Sequence, residues 1–96
     1  MIYCFDIDGT ICTDTEGNYN EAVPFPGVVD RLNALVSMGH TVYMFTARGA
    51  TTGLNWRDVT ENQLRKWGIN HHGLYFTKPS ADVYVDDKAI NASDWN

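Results

Sequence analysis

Four short apolar runs each stop at a polar residue with chemistry to offer, and this pattern constrains the fold more than any other. Residues 2–7, "IYCFDI", carry Asp6 and run into Asp8. Residues 41–46, "TVYMFT", end on Thr46, residues 74–77, "LYFT", precede Lys78, and residues 83–85, "VYV", end on Asp86-Asp87. Short runs rich in aromatic and β-branched residues predict buried strands. Pro26-Gly27 introduces "VVDRLNALVSMG", where Val28, Val29, Leu32, Leu35 and Val36 recur at helical spacing and Gly39 marks the stop. Residues 57–67, "RDVTENQLRKW", predict a second helix closed by Gly68. Strands alternating with helices imply an α/β layer fold with a mostly parallel sheet. Such sheets bind ligands beyond the carboxyl ends of their strands, so one edge is expected to collect Asp6, Asp8, Thr46, Lys78, Asp86 and Asp87.

The chain has 96 residues, 44% hydrophobic and 20% charged, which predicts one globular domain over 1–96 and excludes disordered, fibrous and membrane classes. No apolar stretch approaches the roughly 20 residues of a membrane span. The start, "MIYCFDIDGT", lacks the basic region and cleavage site of a secretion signal, so a cytoplasmic location is expected. The formal net charge is −5 and the seven basic residues are scattered, which argues against a large nucleic-acid surface. Cys4 falls in a predicted strand and reads as a small core residue. Cys12 falls in the loop near the carboxylates, and the pair has no metal-ligand spacing. His40, His71 and His72 also lack partners at such spacing and are expected in loops. Trp56 and Arg57 are candidates for a substrate entrance, with core cover the competing role for Trp56. Trp67 and Trp95 read as packing residues, and the tail, 88–96, has room for one turn of helix.

Carboxylates crowded at one edge repel one another unless a hard cation sits among them. Mg²⁺ takes oxygen ligands, keeps several waters and is usually held by one or two carboxylates plus phosphate oxygens. Asp6 and Asp86 are the direct ligands expected. Asp8 joins them through its carboxylate or, past the Gly9-Thr10 turn, through its backbone carbonyl, and Asp87 is placed to hold a metal-bound water. Asp6 has a second use as a nucleophile towards phosphorus. Asp8 is suited to donate a proton to the leaving oxygen and later to activate water. Thr46 offers a hydroxyl to a phosphoryl oxygen and Lys78 a compact positive charge. Arg48 closely follows the second run and either faces the phosphate or forms a structural ion pair.

"DIDGT", the later "T-A-R", then "K-P" and finally "DD" resemble, in order and over most of the chain, the haloacid dehalogenase superfamily of phosphohydrolases. The stretch "KPSADVYVDDKAI" further resembles small capless members, often associated with capsule or lipopolysaccharide biosynthesis. The resemblance implies a Rossmann-like three-layer domain without a cap. It implies Asp6 as nucleophile and Mg²⁺ ligand, and Asp8 as general acid/base giving its carbonyl to the metal. Thr46 and Lys78 would hold the phosphoryl group, with Asp86 as third ligand and Asp87 in support. An aspartate at position 8 favours phosphatase over dehalogenase chemistry. The chain departs from the family in two places. It is too short between Lys78 and Asp86 for the usual helix, and about five residues are too few for a crossover between neighbouring parallel strands. There is also no room for a cap: 9–24 allows only a flap, and 46–74 little more than a loop and a helix.

The expected function is therefore Mg²⁺-dependent hydrolysis of a small-molecule phosphate ester, such as a sugar or polyol phosphate, through an aspartyl-phosphate. Two alternatives stay open: a phosphoacceptor module like a response-regulator receiver, and a phosphatase acting on nucleic-acid ends. Oligomeric state, including a homo-oligomer that covers the site, is left open.

Overall fold

The computed structural model describes residues 1–86. Asp87, the 88–96 tail and Trp95 lie outside the described residues. The elements run β1 (Ile2–Asp6), α1 (Val28–Ser37), β2 (Thr41–Phe45), α2 (Arg57–Lys66), β3 (Gly73–Tyr75) and β4 (Val83–Val85). All strands are parallel, in the order β3-β2-β1-β4. Among the described residues no helix is long and apolar enough to cross a membrane.

Register separates the two faces of the sheet. Phe5 pairs with Met44 and Val85, whereas Cys4 pairs with Tyr43 and Tyr84. Side chains alternate along a strand, so Phe5, Met44 and Val85 share one face. That face builds the core with Leu32 and Leu35 of α1 and Leu64 of α2. Val28, Leu32 and Leu35 line one side of α1 at the spacing read from the sequence. The buried stripe of α2 is narrower, only Thr60 and Leu64. Both helices thus serve one face, as right-handed crossovers stepping the same way across a sheet require.

The opposite face shows why the short link between the third and fourth runs is permitted. β3 and β4 are not neighbours; they occupy the two edges, and β4 pairs with β1. Residues 76–82 cross the Cys4 face without helix. Three strand spacings are about 14 Å, and seven extended residues reach about 23 Å. The Tyr84 hydroxyl ties the crossing down: it donates to the Pro79 carbonyl at 2.7 Å and accepts the Ala81 N–H at 2.9 Å. Asp82 then docks on β1, accepting the Ile2 N–H at 2.7 Å. Among the described residues the third layer expected from the family resemblance is this single extended segment, not helices. Phe76 and Thr77, expected in a strand, belong to it as well.

Two further contacts join elements far apart in sequence. Asn33 of α1 donates to the Gly68 carbonyl at 2.9 Å and accepts the Asn70 N–H at 2.8 Å, which pins the turn after α2 to α1. His72, expected as a plain loop residue, donates its backbone N–H to the Val42 carbonyl and accepts the Val42 N–H on Nδ1, which fastens the start of β3 to β2. Asn33→Ala removes both partners of the 68–70 turn and should cost about 1–3 kcal/mol. Urea unfolding with an unchanged m-value checks this; a loss below about 0.3 kcal/mol would show that the turn holds without the clamp.

Candidate active site

The loop after β1 is a tight turn dictated by Gly9, whose φ of 84° a side chain rarely adopts. The Ile7 carbonyl accepts the N–H groups of Thr10 and Ile11 at 3.2 and 3.0 Å. The turn leaves Asp6 and Asp8 half-buried at the carboxyl edge and buries Thr10, whose hydroxyl finds no partner among the described residues. The chain then returns on itself, with Thr13 N–H bonding the Val23 carbonyl at 2.9 Å, and a 3-10 turn at Tyr19–Glu21 forms the tip of this flap.

Arg48 is the organising group of this edge. It is only 3% exposed. Its Nε and Nη2 donate to the two carboxylate oxygens of Asp8 at 3.0 and 2.9 Å, a bidentate pair. Nη1 donates to Thr60 Oγ1 at 3.1 Å and to Gln63 Oε1 at 2.6 Å, both on α2. The guanidinium also lies 4.7 Å from the centroid of the Tyr19 ring. Of the two roles open to Arg48, the structure favours the ion pair. Gln63 was not legible as a site residue: its position on a polar helix carries no motif, and only the fold brings it to Arg48.

The other expected residues fall on two sides of Asp6. Asp6, Lys78 and Asp86 line one cavity of about 250 Å³, together with Cys4 and Tyr84. Lys78 comes from the crossing segment, three residues past β3, and its ammonium lies 4.7 Å from the Tyr84 ring centroid. Asp6 and Asp8 line a second cavity of about 400 Å³ with Asp14, Glu16, Tyr19 and Arg48. Ala47 borders both. Thr46 is buried, and its Oγ1 accepts the Arg48 backbone N–H at 3.0 Å, which leaves its own O–H as a donor. Asp87 lies outside the described residues. A larger hollow of about 500 Å³ sits at the other end of the sheet, beside Glu61, Arg65 and His71. It holds none of the strand-end carboxylates and is set aside on that ground.

Asp6 and Asp86 offer hard oxygen donors around one cavity that also holds Lys78, a set that fits Mg²⁺ with part of its water shell retained. Among the described residues no three metal-ligating side chains converge, and the Asp8 carboxylate is turned to Arg48. Of the two routes read from the sequence for Asp8, the carboxylate is engaged by Arg48.

Burial pushes the Cys4 thiol up to about 11 and the Cys12 thiol up to about 12, with the Asp8 charge adding to the second. Both shifts favour the neutral thiol at neutral pH, which argues against a resting nucleophilic role for Cys12. Stability held by the buried thiols is complete below pH 9.0 and drains away as pH rises towards 11 and 12, where unfolded thiols ionise first.

No protein-family model and no curated protein sequence matches the chain. The crystal structure of an MCSG target from Vibrio cholerae is similar in fold, with a TM-score of 0.73 at 21% identity over 97% of this chain and 85% of that one.

Two predictions follow from this geometry. Arg48→Met leaves Asp8 without its counter-charge and strands Thr60 and Gln63, and should destabilise by about 3–5 kcal/mol; a thermal shift of under 2 °C would show that the pair contributes nothing. At pH 8, iodoacetamide should leave both cysteines unmodified in the folded protein and alkylate both in urea, read by mass spectrometry. Rapid native alkylation of Cys12 would mean that the turn after β1 opens.

Proposed function

We propose that this chain is a Mg²⁺-dependent phosphomonoester hydrolase that works through an aspartyl-phosphate on Asp6 and acts on a small phosphorylated metabolite, a sugar or polyol phosphate. One observation carries the reading: the ends of β1, β2 and β4 and the crossing segment bring Asp6, Asp8, Thr46, Asp86 and Lys78 to one sheet edge, with Asp6, Asp86 and Lys78 around a single cavity.

In this reading an Asp6 oxygen attacks phosphorus and the bond to the ester oxygen breaks. Asp8 protonates the departing alkoxide. Both Asp8 oxygens accept from Arg48, but each carboxylate oxygen has a second lone pair, where a proton is carried or taken. Arg48 thus sets the direction of the acid/base group without occupying all of it. Water next attacks the phosphorus on Asp6, Asp8 takes its proton, and inorganic phosphate leaves with the Asp6 carboxylate restored. Lys78 offsets the charge of the transferring group, and the Thr46 O–H is the donor left on β2's end. Mg²⁺, held by Asp6 and Asp86, supplies further charge neutralisation and orientation when bound.

Phosphate release from an aryl phosphate and a panel of sugar and polyol phosphates, with Mg²⁺ and with chelator, tests the reading. Turnover should require the metal, and Asp6→Asn should lower kcat by at least about a thousandfold while the melting temperature holds. Normal turnover by that variant would sink the mechanism. Stoichiometric labelling of Asp6 without turnover would favour the phosphoacceptor alternative.

A further inference from the structure

The flap and the loop after β2 meet beside Asp6 in a corner that the chemistry so far does not use. Tyr19 and Trp56 pack edge to face there, with centroids 4.9 Å apart and planes at 85°. Together with Leu54, Thr51 and Thr52 they line a cavity of about 190 Å³. Ala47, Gly17 and Tyr19 border both this cavity and the one that holds Asp6 and Asp8, so the two adjoin.

The corner is built rather than incidental. Gln63 donates to the Tyr19 carbonyl at 2.5 Å while accepting from Arg48, and the Arg48 guanidinium lies over the Tyr19 ring. The tip of the flap is therefore fastened to α2. Gly49 fixes the other wall: its φ is +85°, and a Cβ there would stand 2.1 Å from the Leu54 carbonyl oxygen. Leu54 is 60% exposed, a large apolar side chain at the mouth with no core role.

The charges on the flap side of the entrance are acidic. Asp14 and Glu16 line the cavity beside Asp8, and the Arg48 guanidinium that borders it is committed to Asp8. Arg57, on the far side of Trp56, is turned to the Phe76 ring and to Glu61. Carboxylates accept hydrogen bonds from neutral hydroxyls and repel a second anion. The face of an aromatic ring suits the apolar face of a sugar ring.

We infer that the Tyr19–Trp56 corner is the subsite for the organic half of the ester, and that it selects an uncharged sugar ring over a ringless ester or a ring bearing a second anion. This rests on the phosphatase reading: Asp6 binds the phosphoryl group, Tyr19 and Trp56 face the ring, and Asp14 and Glu16 take its hydroxyls.

The test is kcat/KM for phosphate release at fixed ionic strength with Mg²⁺. The probes are p-nitrophenyl phosphate, glycerol 3-phosphate, and glucose 1- and 6-phosphate, each glucose ester set against the same ring with a second anion (glucuronic acid 1-phosphate and glucose 1,6-bisphosphate). The better glucose ester should exceed both glycerol 3-phosphate and its anionic counterpart by about tenfold. Trp56→Leu keeps an apolar side chain, though a smaller one, and removes the flat face. It should lose about fivefold more on the glucose ester than on glycerol 3-phosphate, chiefly in KM, and Trp56→Phe should recover most of that loss. Asp14→Asn with Glu16→Gln, both exposed positions, should narrow the gap between the neutral and the anionic ring, and this holds as a test even if Trp56→Leu does not fold. Equal turnover of ring and ringless esters, or an anionic ring used as well as the neutral one, overturns the inference while leaving the phosphatase standing. No turnover of any ester, p-nitrophenyl phosphate included, overturns both.

Discussion

A buried guanidinium must be paid for in hydrogen bonds, and the way Arg48 meets that demand shapes the whole carboxyl edge. Of its five donors, Asp8 takes two, Thr60 one and Gln63 one. Each partner comes from a different part of the chain than Arg48 itself. Asp8 brings in the turn after β1, Thr60 and Gln63 bring in α2, and the Tyr19 ring brings in the flap. An uncompensated charge here costs several kcal/mol, so these elements have little freedom to separate. The same demand explains why the buried stripe of α2 includes a threonine: that face of the helix must serve a cation as well as a core.

The opposite face of the sheet solves a different problem with very little chain. A helical crossover from β3 to β4 would need a dozen residues or more, and seven are present. The extended segment compensates through its contacts with Tyr84, whose hydroxyl bonds the backbone on both sides of Ser80 and whose ring lies beneath the Lys78 ammonium. One tyrosine on β4 therefore anchors the crossing and aims its cation. Asp86 follows two residues later on the same strand end, which is how Lys78 and Asp86, far apart on any helical route, come to share a cavity.

The strand-to-acid pattern was legible in the sequence because it is local: an apolar run and the polar residue that ends it need only a period and a stop. The two helices were legible for the same reason, to within a residue or two at their ends. The strand order was not, because the seven residues after β3 forbid a neighbouring parallel strand without saying where the next one goes. Pairing of β4 with β1 depends on the Asp82 and Tyr84 contacts, which exist only once the sheet has formed. Arg48 could be singled out by its place after β2, but not its partner. An arginine at a strand end is equally suited to a phosphate or a carboxylate, and the choice is made by Thr60 and Gln63, which approach from 12 and 15 residues away. The flap's fastening was invisible for the same reason, since Gln63 sits in no motif.

On the phosphatase reading, the absence of a cap within this chain moves selection to the short loops at the edge. A cap discriminates by closing over a substrate and excluding water. Loops held open can discriminate only by what they present beforehand, so their rigidity becomes the relevant property: a wall that must be ordered by the ligand spends binding free energy on its own ordering. Tyr19 is held through its carbonyl and its ring at once, and Trp56 packs against it at the entry to α2. The network that keeps Arg48 paired therefore also keeps this wall in place. Loosening the guanidinium's partners on α2 would disturb the direction of Asp8 and the shape of the corner together, which couples the proton-transfer group to the surface that faces the leaving group.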